Sequence, residues 1–351
     1  MGCTEIRLSR MELAVDGGQT GLRLGLASGG RVLLTREEPG LAYASGLTVD
    51  AVAQKVLAAW RALAPAVAPG ASDLPKAAGP SAPPPASEAT AASALPVTPD
   101  APVGTVCLGL TTLLGGPAAD RELAERLFAG IGARRVLLTS DVVTAHAGAF
   151  AGRSGVVLAA GTGAIALGVA PDGHARQVDG WGYLYGDAGS GFWIGRRGLD
   201  AAYRGFDGRA TPGPLTDRAR HVFGDLGTAP QRLYLSSDAV AQVAGFAVHV
   251  LDLAGEDATA RAIVEEAGRE LAVSVAAAAR SLPGDEPVPV SWTGRLLRAP
   301  ALRAAFETEL TARLPRALPA PPEGDGLAGA ALLAATSRPG HYRTLIRTVE
   351  R

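Results

Sequence analysis

Apolar residues run together or alternate at 11–15, at Leu22, Leu24 and Leu26, and again at 32–35. This pattern predicts a strand followed by a β-hairpin that closes through Ser28, Gly29 and Gly30. From Thr48 the period changes, and Val49, Val52, Val56, Leu57, Trp60 and Leu63 fall largely on one side of a helix that Pro65 stops. A strand resumes at VGTVCLGL (103–110), followed by a helix over 119–130, an apolar strand over 135–139 and a further helix after Asp141. The next strand is interrupted by Gly161, Thr162 and Gly163, after which the hydrophobic pattern resumes at once. Helices are then predicted over 190–204, 238–253 and 258–281, a strand ends at Gly294, a helix spans 300–314, and an Ala-rich helix starts at GLAGAALLAAT. Strands alternating with helices predict an α/β protein.

The length, 351 residues, exceeds the roughly 250–300 at which single cores stop growing, so two domains around a cleft are expected. Residues 1–10 read as a leader, 11–150 as the first domain and 151–351 as the second. The stretch 65–102, dominated by Ala, Pro and Ser, reads as a surface insertion in the first domain, because the α/β pattern resumes directly after it.

Hydrophobic residues make up 47% and charged residues 19%, enough apolar material for two cores, and the net charge of −1 gives no electrostatic footprint for nucleic acid. Without an apolar run of about 18 residues or a signal-peptide core, no membrane association is expected, and a cytoplasmic enzyme is the reading. Cys3 and Cys107 show no metal spacing, and Cys107 reads as a buried small hydrophobe. His146 has no partner at ligand spacing and reads as a packing or surface histidine. Lys55 and Lys76 are the only lysines and neither follows a GxxxxG loop, which excludes a Walker-type phosphate loop.

The remaining chemistry gathers in glycine turns. DGGQTG places Asp16, Gly17, Gly18, Gln19 and Thr20 at the end of the first strand, where backbone amides can wrap phosphates and Asp16 can hold Mg²⁺ directly or through water. The Gly161-Thr162-Gly163 turn repeats that arrangement in the second half, so the two turns would form a two-sided phosphate clamp. Asp141 stands just past a strand end, the rim where open α/β sheets place ligands. Asp187 lies in the loop GWGYLYGDAGSG, which opens a helix near Ser190. A carboxylate base, two phosphate turns and a second loop carboxylate suit phosphoryl transfer to a sugar hydroxyl.

The motifs DGGQT (16–20), TSD (139–141), AGTG (160–163), GWGYLYGDAGSG (180–191), TG (293–294) and GLAGAALLA occur in an order that resembles the N-acetylglucosamine kinase branch of the BadF/BadG/BcrA/BcrD ATPase family. The resemblance implies a two-domain actin-like ATPase (ribonuclease H-like) fold, with ATP and a small-molecule sugar in the cleft and Mg²⁺ as cofactor. On that basis Asp16–Thr20 and Gly161–Gly163 would contact phosphates, Gly294 the adenosine, and Asp141 would take the proton from the 6-hydroxyl of N-acetylglucosamine or glucosamine. Asp187, Gly182 and Thr111 are the further sugar-side candidates, and a homodimer is expected. Three positions depart from the branch: Ala44 replaces an Asn that binds the sugar ring, Ala188 the Glu of GDEGS, and Arg295 the second glycine of the adenosine motif. Two other readings on the same fold are a non-catalytic sugar or nucleotide sensor and a dehydratase activator, the latter disfavoured because the cysteines provide no cluster.

Overall fold

In a computed structural model that describes residues 11–18, 21–41, 48–63, 103–112, 115–338 and 340–351, β1 (Met11–Gly17) is an inner strand. Its Leu13 and Val15 pack on one core and Ala14 on another, which is why apolar residues run on through 13–15 rather than alternating. β2 (Gly21–Ser28) and β3 (Arg31–Pro39) follow antiparallel, and β4 (Val103–Leu110) and β5 (Arg135–Ser140) add parallel strands on the other side. α1 (Val49–Leu63) and α2 (Pro117–Ile131) cover one face of this sheet.

The second half repeats the plan. β6 (Gly155–Ala160), β7 (Ala164–Val169) and β8 (Ala175–Asp179) form an antiparallel meander, while β9 (Val288–Thr293) lies parallel to β6 and β10 (Ala317–Pro319) parallel to β9. The core behind it is built by α4 (Gly191–Phe206), α9 (Ala258–Ala278), α10 (Pro300–Arg313) and shorter helices. Four of these shorter helices refine the pattern read from the sequence. α5 (Pro214–Phe223) and α6 (Ala229–Tyr234) fill a region for which no helix was predicted, and 238–253 is not one helix but α7 (Ala239–Gly245) and α8 (Ala247–Leu253). The break falls at Gly245, a poor helix former, beside Phe246, which is anchored in the core.

Between the two sheets lie α3 (Asp141–Ala149) and α11 (Gly326–Ala335), packed with side chains from both. Their backbones touch: a Cβ on Gly329 would stand 1.9 Å from the Thr144 carbonyl oxygen, and one on Gly148 2.0 Å from that of Asp325. Only glycine permits this approach. The final segment, read from the sequence as part of the second half, instead completes the first, because α11 packs on β1 and β4 and β11 (Arg347–Glu350) pairs antiparallel with β5, covering what would be an open edge. Among the described residues no single helix is long and apolar enough to cross a membrane.

Candidate active site

The parallel register of β1, β4 and β5 aligns Gly17 with Leu110 and Leu110 with Ser140. Asp16, Thr111 and Asp141 therefore converge at the carboxyl ends of three neighbouring strands. Thr111 is fixed from both sides: its amide donates to the Gly17 carbonyl at 3.0 Å and its hydroxyl donates to Asp141 Oδ2 at 2.8 Å. Asp141 is the first residue of α3 and faces the amide of Val142. Burial raises its carboxyl above the ordinary range; the Thr111 hydroxyl opposes that rise and the negative charge of Asp16 adds to it. A carboxylate so placed is a stronger base than a solvated one.

Asp16 is not free. Arg23, its cross-strand partner on β2, donates to Asp16 Oδ2 at 2.5 Å and to Asp325 Oδ2 at 2.6 Å. Asp325 in turn caps α11 by accepting from the amide of Ala328 at 3.0 Å. Gly326, the first residue of α11, leaves room for the Asp16 carboxylate, since a Cβ there would stand 3.0 Å from Oδ1. One arginine thus ties the first glycine turn to the start of the helix that crosses between the sheets. Gly18 shapes that turn by donating to the Gly21 carbonyl at 2.9 Å and accepting from Leu41 at 2.9 Å.

In the second half, the turn at 161–163 closes through the Gly161 amide to the Gly163 carbonyl at 2.9 Å. Its carbonyls cap α4: Gly161 accepts from Gly191 at 2.8 Å and Thr162 from Phe192 at 3.0 Å. The first amides of α4 are therefore used by the turn, and among the described residues the amides of Thr162 and Gly163 donate to no protein acceptor. Asp187 lies against this turn, 2.7 Å from the place a Cβ on Gly163 would occupy, and faces the amides of Ala164 and Gly182. Burial raises its carboxyl, Asp179 raises it further, and the two amides oppose the rise. Gly294 follows β9 with φ of 96°, and a Cβ there would stand 2.1 Å from the Ala160 carbonyl, so the second turn and Gly294 are in direct contact.

The candidates read from the sequence thus form two groups, Asp16, Gly17, Gly18, Thr111 and Asp141 on the first sheet and Gly161, Thr162, Gly163, Gly182, Asp187 and Gly294 on the second. Gln19, Thr20 and Ala44 lie outside the described residues. α11 packs on α3 and the first sheet and begins beside Asp16. His146 is a packing residue: fully buried, it donates from Nε2 to the Gly155 carbonyl at 3.0 Å and accepts at Nδ1 from the Tyr342 hydroxyl at 2.8 Å. Burial pushes its imidazole down to about 4, so it stays neutral. A cavity of about 750 Å³ between α2 and β11 lies apart from both groups, lined in part by Asp120, Arg121 and Arg347.

Arg23, Asp325 and Asp179 were not singled out in the sequence. Asp325 carried a signal, an Asp directly before an Ala-rich helix, which is an N-cap pattern. The other two carried none, since their roles depend on which residues they meet across a hairpin and a loop.

A model of the BadF/BadG/BcrA/BcrD ATPase family matches residues 13–334. The N-acetylmuramic acid/N-acetylglucosamine kinase of Clostridium acetobutylicum is 31% identical over 105 residues, which cover 30% of this chain and 34% of that protein. The match therefore spans about a third of that relative's length. Among solved structures, a Chromobacterium violaceum protein named as an N-acetylglucosamine kinase shares 29% identity at a TM-score of 0.67, over 94% of this chain and 100% of the other. A Porphyromonas gingivalis protein named in the same way shares the fold at a TM-score of 0.60 with 15% identity, over 93% and 99% of the two chains. The fold is the two-domain actin-like ATPase fold, and the extent of the family match carries the assignment: the chain belongs to the BadF/BadG/BcrA/BcrD ATPase family.

Proposed function

We propose that this protein is an ATP-dependent sugar kinase that phosphorylates the 6-hydroxyl of an amino sugar of the N-acetylglucosamine or glucosamine class, with Asp141 as general base. The observation that carries this reading is the convergence of Asp16, Thr111 and Asp141 at the ends of three adjacent strands, with Asp141 held as a partly buried, hydrogen-bonded carboxylate. The family match and the Chromobacterium violaceum structure support it.

In the proposed step the sugar hydroxyl oxygen bonds to the γ-phosphorus of ATP while the bond from that phosphorus to the β-phosphate bridging oxygen breaks. The hydroxyl proton passes to Asp141, and ADP leaves with the electron pair. Thr111 keeps the accepting carboxylate in one orientation throughout. The amides of Thr162 and Gly163, and the turn at Gly17 and Gly18, point the nucleotide phosphates toward that oxygen. Gly294 gives the adenosine a close backbone approach, and Asp187 with Gly182 holds ring hydroxyls.

The hard oxygen donors of Asp16 suit Mg²⁺, which keeps several waters and binds through one or two carboxylates plus phosphates. Arg23 occupies one oxygen of Asp16, so the fit is to a water-mediated contact. When bound, Mg²⁺ would neutralise charge on the β- and γ-phosphates.

A coupled ADP-release assay against N-acetylglucosamine, glucosamine, N-acetylmuramic acid and glucose tests the reading. Sugar-stimulated ADP formation with a sugar 6-phosphate product is the expected result. ATP hydrolysis that ignores sugar and yields no phosphorylated product would overturn it.

A further inference from the structure

Asp179, the last residue of β8, grips two consecutive amides with one carboxylate. Its Oδ1 accepts from Asp187 at 2.7 Å and its Oδ2 from Ala188 at 2.9 Å. The carboxylate lies against the bare Cα of Gly186, where a Cβ would stand 2.2 Å from Oδ1. Both acids are in the left-handed region, Asp179 at φ 61° and Asp187 at φ 58°, and among the described residues Ala151 is the one other non-glycine residue there. Two side-chain-bearing residues in that region within one loop are costly, and such conformations persist where the surroundings over-determine them.

The strain has a visible result. With its backbone held left-handed, Asp187 turns its carboxylate back onto the turn at Gly163 and toward the amides of Ala164 and Gly182. Asp179 is thereby linked, through Asp187, to the second glycine turn. Its own position comes from the sheet, where it pairs with Ile165 of β7 two residues past that turn's end.

We propose that Asp179 is a positioning residue: it fixes the left-handed backbone of Asp187, and so sets where the Asp187 carboxylate meets the sugar. The inference rests on the proposed role of Asp187 in holding sugar hydroxyls. It goes beyond that role by assigning the placement of the carboxylate to a residue whose own carboxylate is taken up by the amides of Asp187 and Ala188.

The test compares Asp179→Ala, Asp179→Asn, Asp187→Ala and the Asp179→Ala/Asp187→Ala pair, reading KM for sugar, KM for ATP and kcat. Misplacing a binding group by about 1 Å can cost on the order of a hundredfold. Asp179→Ala is therefore expected to raise the sugar KM by about tenfold to a hundredfold while the KM for ATP stays within about twofold. Asp179→Asn keeps one acceptor and should fall between wild type and Ala. In the Asp187→Ala background, Asp179→Ala should add no further rise, since the group it places is gone. A sugar KM unchanged in Asp187→Ala would remove the role given to Asp187, and with it this inference. A raised KM in Asp187→Ala but not in Asp179→Ala, or full additivity in the pair, would overturn the inference alone. Should Asp179→Ala fail to fold, amide hydrogen exchange at 187 and 188 in Asp179→Asn decides: faster exchange with a raised sugar KM supports the positioning, and faster exchange with a wild-type KM overturns it.

Discussion

Thr111 Oγ1 donates to Asp141 Oδ2 at 2.8 Å, joining the end of β4 to the start of α3 beside the end of β1. That bond stabilises the ionised form of a carboxylate that burial and Asp16 both disfavour. Replacing Thr111 with Val removes the donor, so the Asp141 carboxyl should rise further. The acid limb of the pH–rate profile then moves to higher pH, whereas Thr111→Ser leaves it in place. Superimposable profiles for Val and wild type would show that this bond does not tune the base.

Asp141 itself gives an opposite signature in activity and stability. Positioned proton transfer contributes about 10² to 10⁴ in rate, so Asp141→Asn should lower kcat by that factor with ATP binding nearly unchanged. Its folded carboxyl sits above the ordinary value of 3.8, so its stabilising contribution is complete below that value and is lost as pH rises through the raised one. At pH 7 the buried charge therefore costs stability, and Asn should melt at an equal or higher temperature than wild type. Near wild-type turnover in a folded Asn variant would remove Asp141 as the base.

Arg23 holds Asp16 and Asp325 together at 2.5 and 2.6 Å. Arg23→Gln leaves two carboxylates facing each other without their shared cation. A charged hydrogen bond lost in a partly buried place costs about 1 to 3 kcal/mol, readable as a lower denaturant midpoint. The KM for ATP should rise with it, because the first glycine turn and the start of α11 are no longer tied. Loss of stability with unchanged ATP affinity would restrict Arg23 to a structural role.

Gly329 has no space for a methyl group, since the Thr144 carbonyl would stand 1.9 Å from it. Gly329→Ala must push α11 away from α3, and overpacking of this kind costs about 1 to 3 kcal/mol or more. Because those helices lie between the two sheets, activity should fall along with stability. Wild-type stability in this variant would mean that the two helices pack less closely than described.

Much of the architecture was legible because hydrophobic period reports burial locally. The apolar residues of 11–15 marked β1 as a strand, and the amphipathic stripe of α1 marked a helix with one buried face. The glycine turns were legible as well, because turn residues stand out between apolar strands and because the arrangement occurs twice. β11 was not, since two of its four residues, Arg347 and Glu350, carry charge and the segment pairs as a strand along the edge of β5. The split at Phe246 was also hidden, because the anchoring of Phe246 in the core decides it together with Gly245.

By itself the sequence determined the α/β class, the two glycine turns and Asp141 at a strand end, all of which follow from local patterns of period, turn residues and order. The tertiary structure alone decided that Arg23 ties Asp16 to Asp325, that α11 returns to the first sheet, and that Asp179 sets the backbone of Asp187. Arg23 and Asp325 are 302 positions apart, and a hydrogen bond between such residues depends on which strands and helices become neighbours. That pairing is fixed by packing of the whole chain, and no local pattern encodes it.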